Sequence, residues 1–210
     1  LKFMPSYATR IVEPFCGSAA VSLAASASSG LSFWLNDCLS PLANLWTQSI
    51  RTPTDVANRY EYYWALSNVS DTEQSVNVYR QLRAEFNRDQ DPVKLLYLLT
   101  RCVKNAVRFN RLGEFNQAPD RRRRGSHPTK VRWNVEQASK LLSNRAVVTA
   151  IDYTAVLRAL NKTDFVYMDP PYQGTSLSKD RRYVQSLDVT KFIDELDKLN
   201  SCGVPYVISF

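Results

Sequence analysis

In the stretch DFVYMDPPYQG, residues 164 to 174, an apolar run ends in Asp169, Pro170, Pro171 and Tyr172. The two prolines fix two φ angles and carry no N–H, so the turn offers stiff carbonyls that accept hydrogen bonds and cannot donate them. With the Asp169 carboxylate, the segment becomes a cluster of acceptors facing one spot. A planar exocyclic NH2 group satisfies such acceptors, and Tyr172 supplies an aromatic face for the ring that bears it. Drawing both amine protons toward acceptors leaves the nitrogen less conjugated and more nucleophilic. A plain proline turn after a strand is the competing reading, and the neighbouring runs decide between the two.

Three other apolar runs end in polar or glycine-bearing turns. RIVEPF (10 to 15) leads into Gly17 and Ser18. Without a Cβ, Gly17 lets a ligand approach the backbone, and Ser18, Ala19 and Ala20 open a helix whose free N–H groups are expected to hold a carboxylate. The G-x-G-x-x-G pattern of a pyrophosphate site is missing, the run reading G-S-A-A-V-S. LSFWLND (31 to 37) ends in Asp37, 20 residues beyond Gly17, the usual place for an acid that hydrogen-bonds ribose hydroxyls. The pair suggests adenosine without pyrophosphate; a packing glycine and a capping aspartate is the alternative. Asp152 closes AVVTAID, where it is expected either to accept the amine of an adenine ring or to cap the helix beginning near Tyr153.

Strands that alternate with helices must position these residues. After LSFWLND, Ser40 is the expected N-cap and Pro41 the first residue of the helix SPLANLWTQSI. From about 51 the character changes to amphipathic helices, with Val56, Tyr60, Tyr63 and Leu66 at helical spacing, then Val78, Leu82 and Phe86. Asp91 and Pro92 cap a third helix, VKLLYLLTRCVKNAV, and Asn134 is the candidate cap of a short one, NVEQASKLLSN. Alternation then resumes with AVVTAIDY, the helix TAVLRALNK, the strand DFVYMD, the helix TKFIDELDKLNS and the strand PYVISF. The expected fold is α/β, a mostly parallel sheet spanning residues 1–50 and 145–210, interrupted by a helical and basic insertion at 51–144.

Charge is concentrated in that insertion. Arg101 to Trp133 holds ten basic residues against two acids, a net +8, while the whole chain carries +7 and the remainder therefore −1. One cationic stretch on a neutral chain suits a polyanion; a solvated loop is the plainer reading. The four cysteines are scattered without a C-x-x-C pair, and the single histidine, His127, excludes a histidine metal cluster and argues against a Ser-His-Asp triad. No run is long and apolar enough for a membrane span, so a cytoplasmic protein is expected. The chain starts without methionine and stops on a β-rich run, so a segment of a longer protein, incomplete at both ends, is also expected.

Taken together, these motifs resemble the Dam-like DNA adenine methyltransferases. VEPFCGSAAV is similar to their first cofactor motif, LNDCLSPLANLW to the second, AIDY to the third and DFVYMDPPY to the catalytic motif, with RFNRLGEFNQAP between them resembling the family's Gly-Glu-Phe-Asn stretch. Ala19 stands where the family often has a second glycine, and nothing like its opening WAGGK motif precedes Leu1.

The resemblance implies a Rossmann-like methyltransferase fold and S-adenosyl-L-methionine as cofactor. It assigns cofactor binding to Glu13, Pro14, Phe15, Gly17, Ser18, Asp37, Asp152, Tyr153 and Asp169, and catalysis to Asp169, Pro170, Pro171 and Tyr172. The implied reaction is methylation of the adenine N6 amine after base flipping in duplex DNA, within a specific short sequence and with no metal. Lys104, Arg108, Asn110, Arg111, Arg121, Arg122, Arg123 and Arg124 are the candidate DNA contacts. A cognate restriction endonuclease is the protein partner the family admits, and bacterial, archaeal or phage-infected cells the setting. Cytosine-N4 methylation, RNA methylation and a non-catalytic nucleic-acid-binding module are the alternatives. Serine more often leads the motif in the first of these and asparagine in the second, so Asp169 favours adenine in DNA.

Overall fold

Short β-branched and aromatic runs, each bounded by a polar turn, form five strands in the computed structural model, which describes residues 2–27, 30–103, 107–171 and 187–209. These are β1 (Arg10–Glu13), β2 (Ser32–Asn36), β3 (Ala146–Thr149), β4 (Asp164–Met168) and β5 (Tyr206–Ile208). They lie in the order β3-β2-β1-β4-β5, and every pairing is parallel. The helices α1 (Ala20–Ala25), α2 (Ser40–Arg51), α7 (Tyr153–Arg158) and α8 (Val189–Cys202) follow β1, β2, β3 and β4 in the chain. Between β1 and β4 the strand order reverses. In a doubly wound sheet, that is where the carboxyl ends of the strands open a crevice for ligands.

Central strands of such a sheet are buried on both faces, and Val12, Val166 and Met168 accordingly share a core with Val156, Phe192, Leu199 and Val204. At the opposite end of the strands, Arg10 donates two bonds to Asp164, at 2.7 and 2.8 Å, and lies over the Trp34 ring. This fork sets β1 against β4 in the register that pairs Arg10 with Asp164.

The chain divides into two compact units. The first holds the sheet, within residues 1–47, 140–173 and 186–210; the described part of the second runs from Gln48 to Ser139. In the second, Asp71 and Asp91 cap α4 (Thr72–Asp89) and α5 (Pro92–Arg101) by accepting backbone N–H groups, and Pro53 opens α3 (Pro53–Ser67). The buried stripe of α4 is Val76, Tyr79, Leu82 and Phe86, with Val78 only half-buried, and Leu66 on α3 is exposed while Ser67 is buried. Val56, Tyr60, Leu82 and Phe86 are buried as the spacing predicts, and only one end of each stripe departs from it, with Val76 and Tyr79 buried in place of Val78 and Ser67 in place of Leu66.

Two helix boundaries also differ. α5 ends at Arg101, because Cys102 turns extended and bridges antiparallel to Pro119 while the Arg101 carbonyl accepts the Asp120 N–H at 2.9 Å. α6 (Pro128–Leu142) starts well before Asn134, which therefore lies inside the helix. Pro128 is its first residue, and the His127 carbonyl accepts from Lys130 and Val131. Among the described residues, no helix is long and apolar enough to cross a membrane.

Candidate active site

Side by side in the sheet, β1 ends at Glu13 ahead of the turn at Gly17, and β4 ends at Met168 ahead of Asp169 and Pro170. Gly17 takes φ +47, a left-handed conformation that favours glycine. Its N–H donates to Asp37 Oδ2 at 3.1 Å, and its carbonyl accepts from Trp46 Nε1 at 2.8 Å. A Cβ built at Gly17 meets nothing within 4 Å, so the turn faces open space. Asp37 and Gly17, 20 positions apart in the chain, are thus joined directly. Asp37 also accepts the Leu39 N–H at 2.9 Å, and burial raises its carboxyl above the ordinary range while the two backbone bonds pull it partway back.

The start of α1 differs from expectation. The helix has six residues, and its buried N-cap Ala19 is itself left-handed at φ 50, which accounts for a glycine preference at this position. The Ser22 N–H is already taken by Glu13 Oε1 at 2.8 Å. The carboxylate expected there from a ligand is supplied at Ser22 by the chain itself, while Ser18 stays exposed.

Burial pushes the Glu13 carboxyl up, with the negative charge of Asp169 adding to it and hydrogen bonds from Ser22 lowering it partway. The folded protein therefore holds this proton to higher pH than the unfolded chain. The contribution of Glu13 to stability falls as pH rises from its ordinary value of 4.5 through the raised one. Glu13→Gln keeps an oxygen for the Ser22 N–H and removes the charge. Its melting temperature should therefore gain on that of the wild type as pH rises between about 4 and 8. Thermal melts across that range check this, and a difference that shrinks with rising pH contradicts it.

Phe15 and Tyr153 meet at 5.2 Å between ring centroids, and both lie against Phe192 of α8, at 6.3 and 5.8 Å. Asp152 caps α7, accepting the Thr154 N–H at 2.9 Å and its hydroxyl at 2.5 Å, so the capping alternative is realised. Lys191 stands 4.0 Å from the same carboxylate oxygen. At the end of β4, Pro170 is buried, Pro171 half-buried and Asp169 exposed. Ser209 holds the Met168 carbonyl through its N–H at 2.9 Å, and Tyr167 donates to the Ser209 hydroxyl at 3.0 Å. Tyr172 and Lys104 lie outside the described residues. Among the described residues, no group of three or more His, Cys, Asp or Glu side chains could hold a metal ion.

In the helical unit, α4 carries the segment after Phe109. Asn87 exchanges two bonds with the Phe115 backbone, at 2.8 and 3.1 Å, Arg83 reaches the carbonyls of Asn116 and Gln117, and Tyr79 donates to Gln117 at 3.0 Å. Phe109 bridges antiparallel to Phe115, and the turn between them is closed by Asn110. Its Oδ1 accepts from Leu112 and Glu114 at 2.9 Å, and its Nδ2 donates to Glu114 at 2.7 Å. Arg108 is half-buried, and its carbonyl accepts the Asn116 N–H at 3.0 Å. The tip exposes Arg111 and Leu112, the latter 83% exposed, with Gly113 at φ +76. Leu112 is absent from the residues picked out of the sequence, where one leucine in a loop carries no signal.

The four consecutive arginines are individually engaged. Arg122 and Arg123 bond buried Asp120, at 3.2 and 2.9 Å, and the bonds from Arg122 above all hold that carboxyl well below its ordinary range. Arg121 lies 3.5 Å from Glu73, and half-buried Arg124 donates to the Val69 carbonyl. Arg101, counted in the cationic stretch, is buried at 1% exposure and belongs to the interior.

Sheet order and strand-end turns together define a Rossmann-like methyltransferase fold. The family model described as D12 class N6 adenine-specific DNA methyltransferase matches residues 1–203, and the chain belongs to that family. It is 30% identical over 170 residues to a DNA adenine methylase of Salmonella typhi, a match covering 79% of this chain and 57% of that protein. It is 27% identical over 207 residues to the retron Ec67 DNA adenine methylase of Escherichia coli, covering 95% and 68%. With the type II methyltransferase M.MjaIII of Methanocaldococcus jannaschii it shares 30% identity over 143 residues, covering 61% and 48%. The chain thus spans little more than half the length of the Salmonella relative.

Proposed function

We propose that this protein transfers the methyl group of S-adenosyl-L-methionine to the exocyclic N6 amine of an adenine flipped out of duplex DNA, within a specific short sequence. The observation that carries this reading is the convergence of two turns at the reversal of strand order. One holds the acceptors Asp169 and Pro170; the other is the Gly17 turn gripped by Asp37.

The residues present suit the cofactor. Open space over Gly17 admits it, the Phe15 and Tyr153 rings offer a surface to its adenine beside Asp152, and Asp37 offers carboxylate oxygens to its ribose. Pro14 and Ser18 flank these groups. The paired negative charges of Glu13 and Asp169 suit a sulfonium. When bound, the cofactor supplies an electrophilic methyl group on a positively charged sulfur.

Asp169 accepts one hydrogen of the target amine and the Pro170 carbonyl the other, which localises the nitrogen lone pair for attack. Pro171 holds that carbonyl rigid, and Tyr172 stacks on the flipped ring. The proton released from the amine leaves by way of Asp169, which water reaches. Positioning of this kind accounts for much of the acceleration in a two-reactant transfer.

Arg111 and Leu112 at an exposed turn tip combine a phosphate or base-edge contact with an apolar side chain able to wedge against stacked bases. Arg108 and Arg121 to Arg124 add positive charge in the same unit and Asn110 holds the turn, with Lys104, outside the described residues, a further candidate contact from the sequence. A protein of this activity works in the cytoplasm of a bacterial, archaeal or phage-infected cell. The Arg122 side chain is 86% exposed. Its replacement by alanine is therefore expected to lower the slope of log affinity against log salt by about 1, uniformly across DNA sequences. Anisotropy titrations over a salt series check this, and an unchanged slope contradicts it. The reading itself is tested by transfer of labelled methyl from S-adenosyl-L-methionine to duplex DNA by the full-length protein. Label must appear in the DNA; none appearing overturns it.

A further inference from the structure

From the geometry at the ends of β1, β2 and β3 we infer that Asn36 is the positioning residue of the cofactor pocket, an inference that rests on the proposed function. Asn36 is the last residue of β2, with no exposed surface, and its amide uses its full hydrogen-bonding capacity across three strand ends. Nδ2 donates to the Pro14 carbonyl beyond β1 and to the Ile151 carbonyl beyond β3, each at 3.0 Å. Oδ1 accepts from the Ile151 N–H at 3.1 Å and from the Thr149 hydroxyl at 2.7 Å. Thr149 is in turn fixed by Trp34 Nε1 at 2.8 Å, and the Asn36 carbonyl takes the Cys16 N–H at 2.7 Å.

The residues tied in this way flank those that would hold the cofactor. Pro14 precedes Phe15, Ile151 precedes Asp152 and Tyr153, and Asn36 itself precedes Asp37. One planar amide therefore sets the separation of the two rings and of the two carboxylates. Aspartate in its place keeps both acceptor bonds but turns a carboxylate oxygen toward two carbonyls, so that both loops lose their donor. Asn36 touches no reacting atom, and its effect must appear in cofactor binding and leave the chemical step largely intact.

The test compares the full-length wild type with Asn36→Asp and Thr149→Val. The second removes only the hydroxyl that steadies the amide, and it serves if the first does not fold. By calorimetry the dissociation constant for S-adenosylhomocysteine is expected to rise about tenfold in Asn36→Asp and about threefold in Thr149→Val. At saturating cofactor, kcat should stay within about threefold of the wild type, and affinity for duplex DNA within about twofold. Dissociation constants within about twofold of the wild type in both variants would overturn the inference, as would a joint fall of cofactor affinity, kcat and DNA affinity. A wild-type protein that binds no S-adenosylhomocysteine would overturn the proposed function and this inference with it.

Discussion

Asp169→Asn is expected to lower kcat for methyl transfer roughly 10³-fold, while cofactor affinity changes by no more than about tenfold. The substitution is nearly isosteric, but it exchanges one acceptor oxygen for an NH2 donor facing the amine it should hold. The target nitrogen then keeps its lone pair in the ring. Affinity for the cofactor is expected to respond as well, because Asp169 and Glu13 interact as like charges and the proposed site places them beside the sulfonium. Losing one of the two weakens the attraction for a sulfonium without removing the Gly17 turn or the aromatic surface. Single-turnover rates at saturating cofactor and DNA, set beside calorimetric binding, separate the two effects. A rate within tenfold of the wild type would mean that another group accepts the amine proton.

The second large effect lies far from that chemistry, at Arg101. Its guanidinium is buried, donating from Nη1 to the carbonyls of Asp120 and Arg123 and from Nη2 to the Ser75 hydroxyl at 3.0 Å. Those bonds shape the loop from which Arg121, Arg122 and Arg123 project, and Asp120 repeats the pattern by gripping two of them. Arg101→Met preserves most of the apolar stem but leaves the buried Asp120 carbonyl and the part-buried Arg123 carbonyl without this donor, while the Ser75 hydroxyl keeps its bond to the Ser67 carbonyl. Each such bond to a charged donor contributes about 1.5–3 kcal/mol, part of it offset by relief of the desolvated charge. A net loss of about 3 kcal/mol is expected by urea unfolding, together with weaker binding to duplex DNA at low salt. Stability within about 1 kcal/mol of the wild type would show that the loop holds its shape without the guanidinium.

The strand ends were legible because the signals that mark them are local. Apolar alternation stopped at an acid, a glycine or a proline, and β1 does end at Glu13, before Pro14, which has no N–H for the ladder. The Asp91–Pro92 cap and the parallel order followed from equally local rules. Less legible was whatever depended on a distant partner. Nothing in TRCVKNAV announces a helix end at Arg101, because the stop comes from Asp120 and Pro119 returning to pair with it. Asn36 and Trp46 carry no local signal and Arg101 counts only as one more cation of the basic stretch, since their partners lie 19 to 115 positions away. The early start of α6 is different, for its signal was present: Pro128 marks a first helical turn that Asn134 drew attention away from.

The central claim is that the Asp169 turn receives an adenine amine. Full-length protein incubated with S-adenosyl-L-methionine and duplex DNA, followed by digestion and identification of the modified nucleoside, tests it most directly. N6-methyldeoxyadenosine is the predicted product in wild-type reactions, sharply reduced with Asp169→Asn. N4-methyldeoxycytidine, or methylation confined to RNA, would contradict the account.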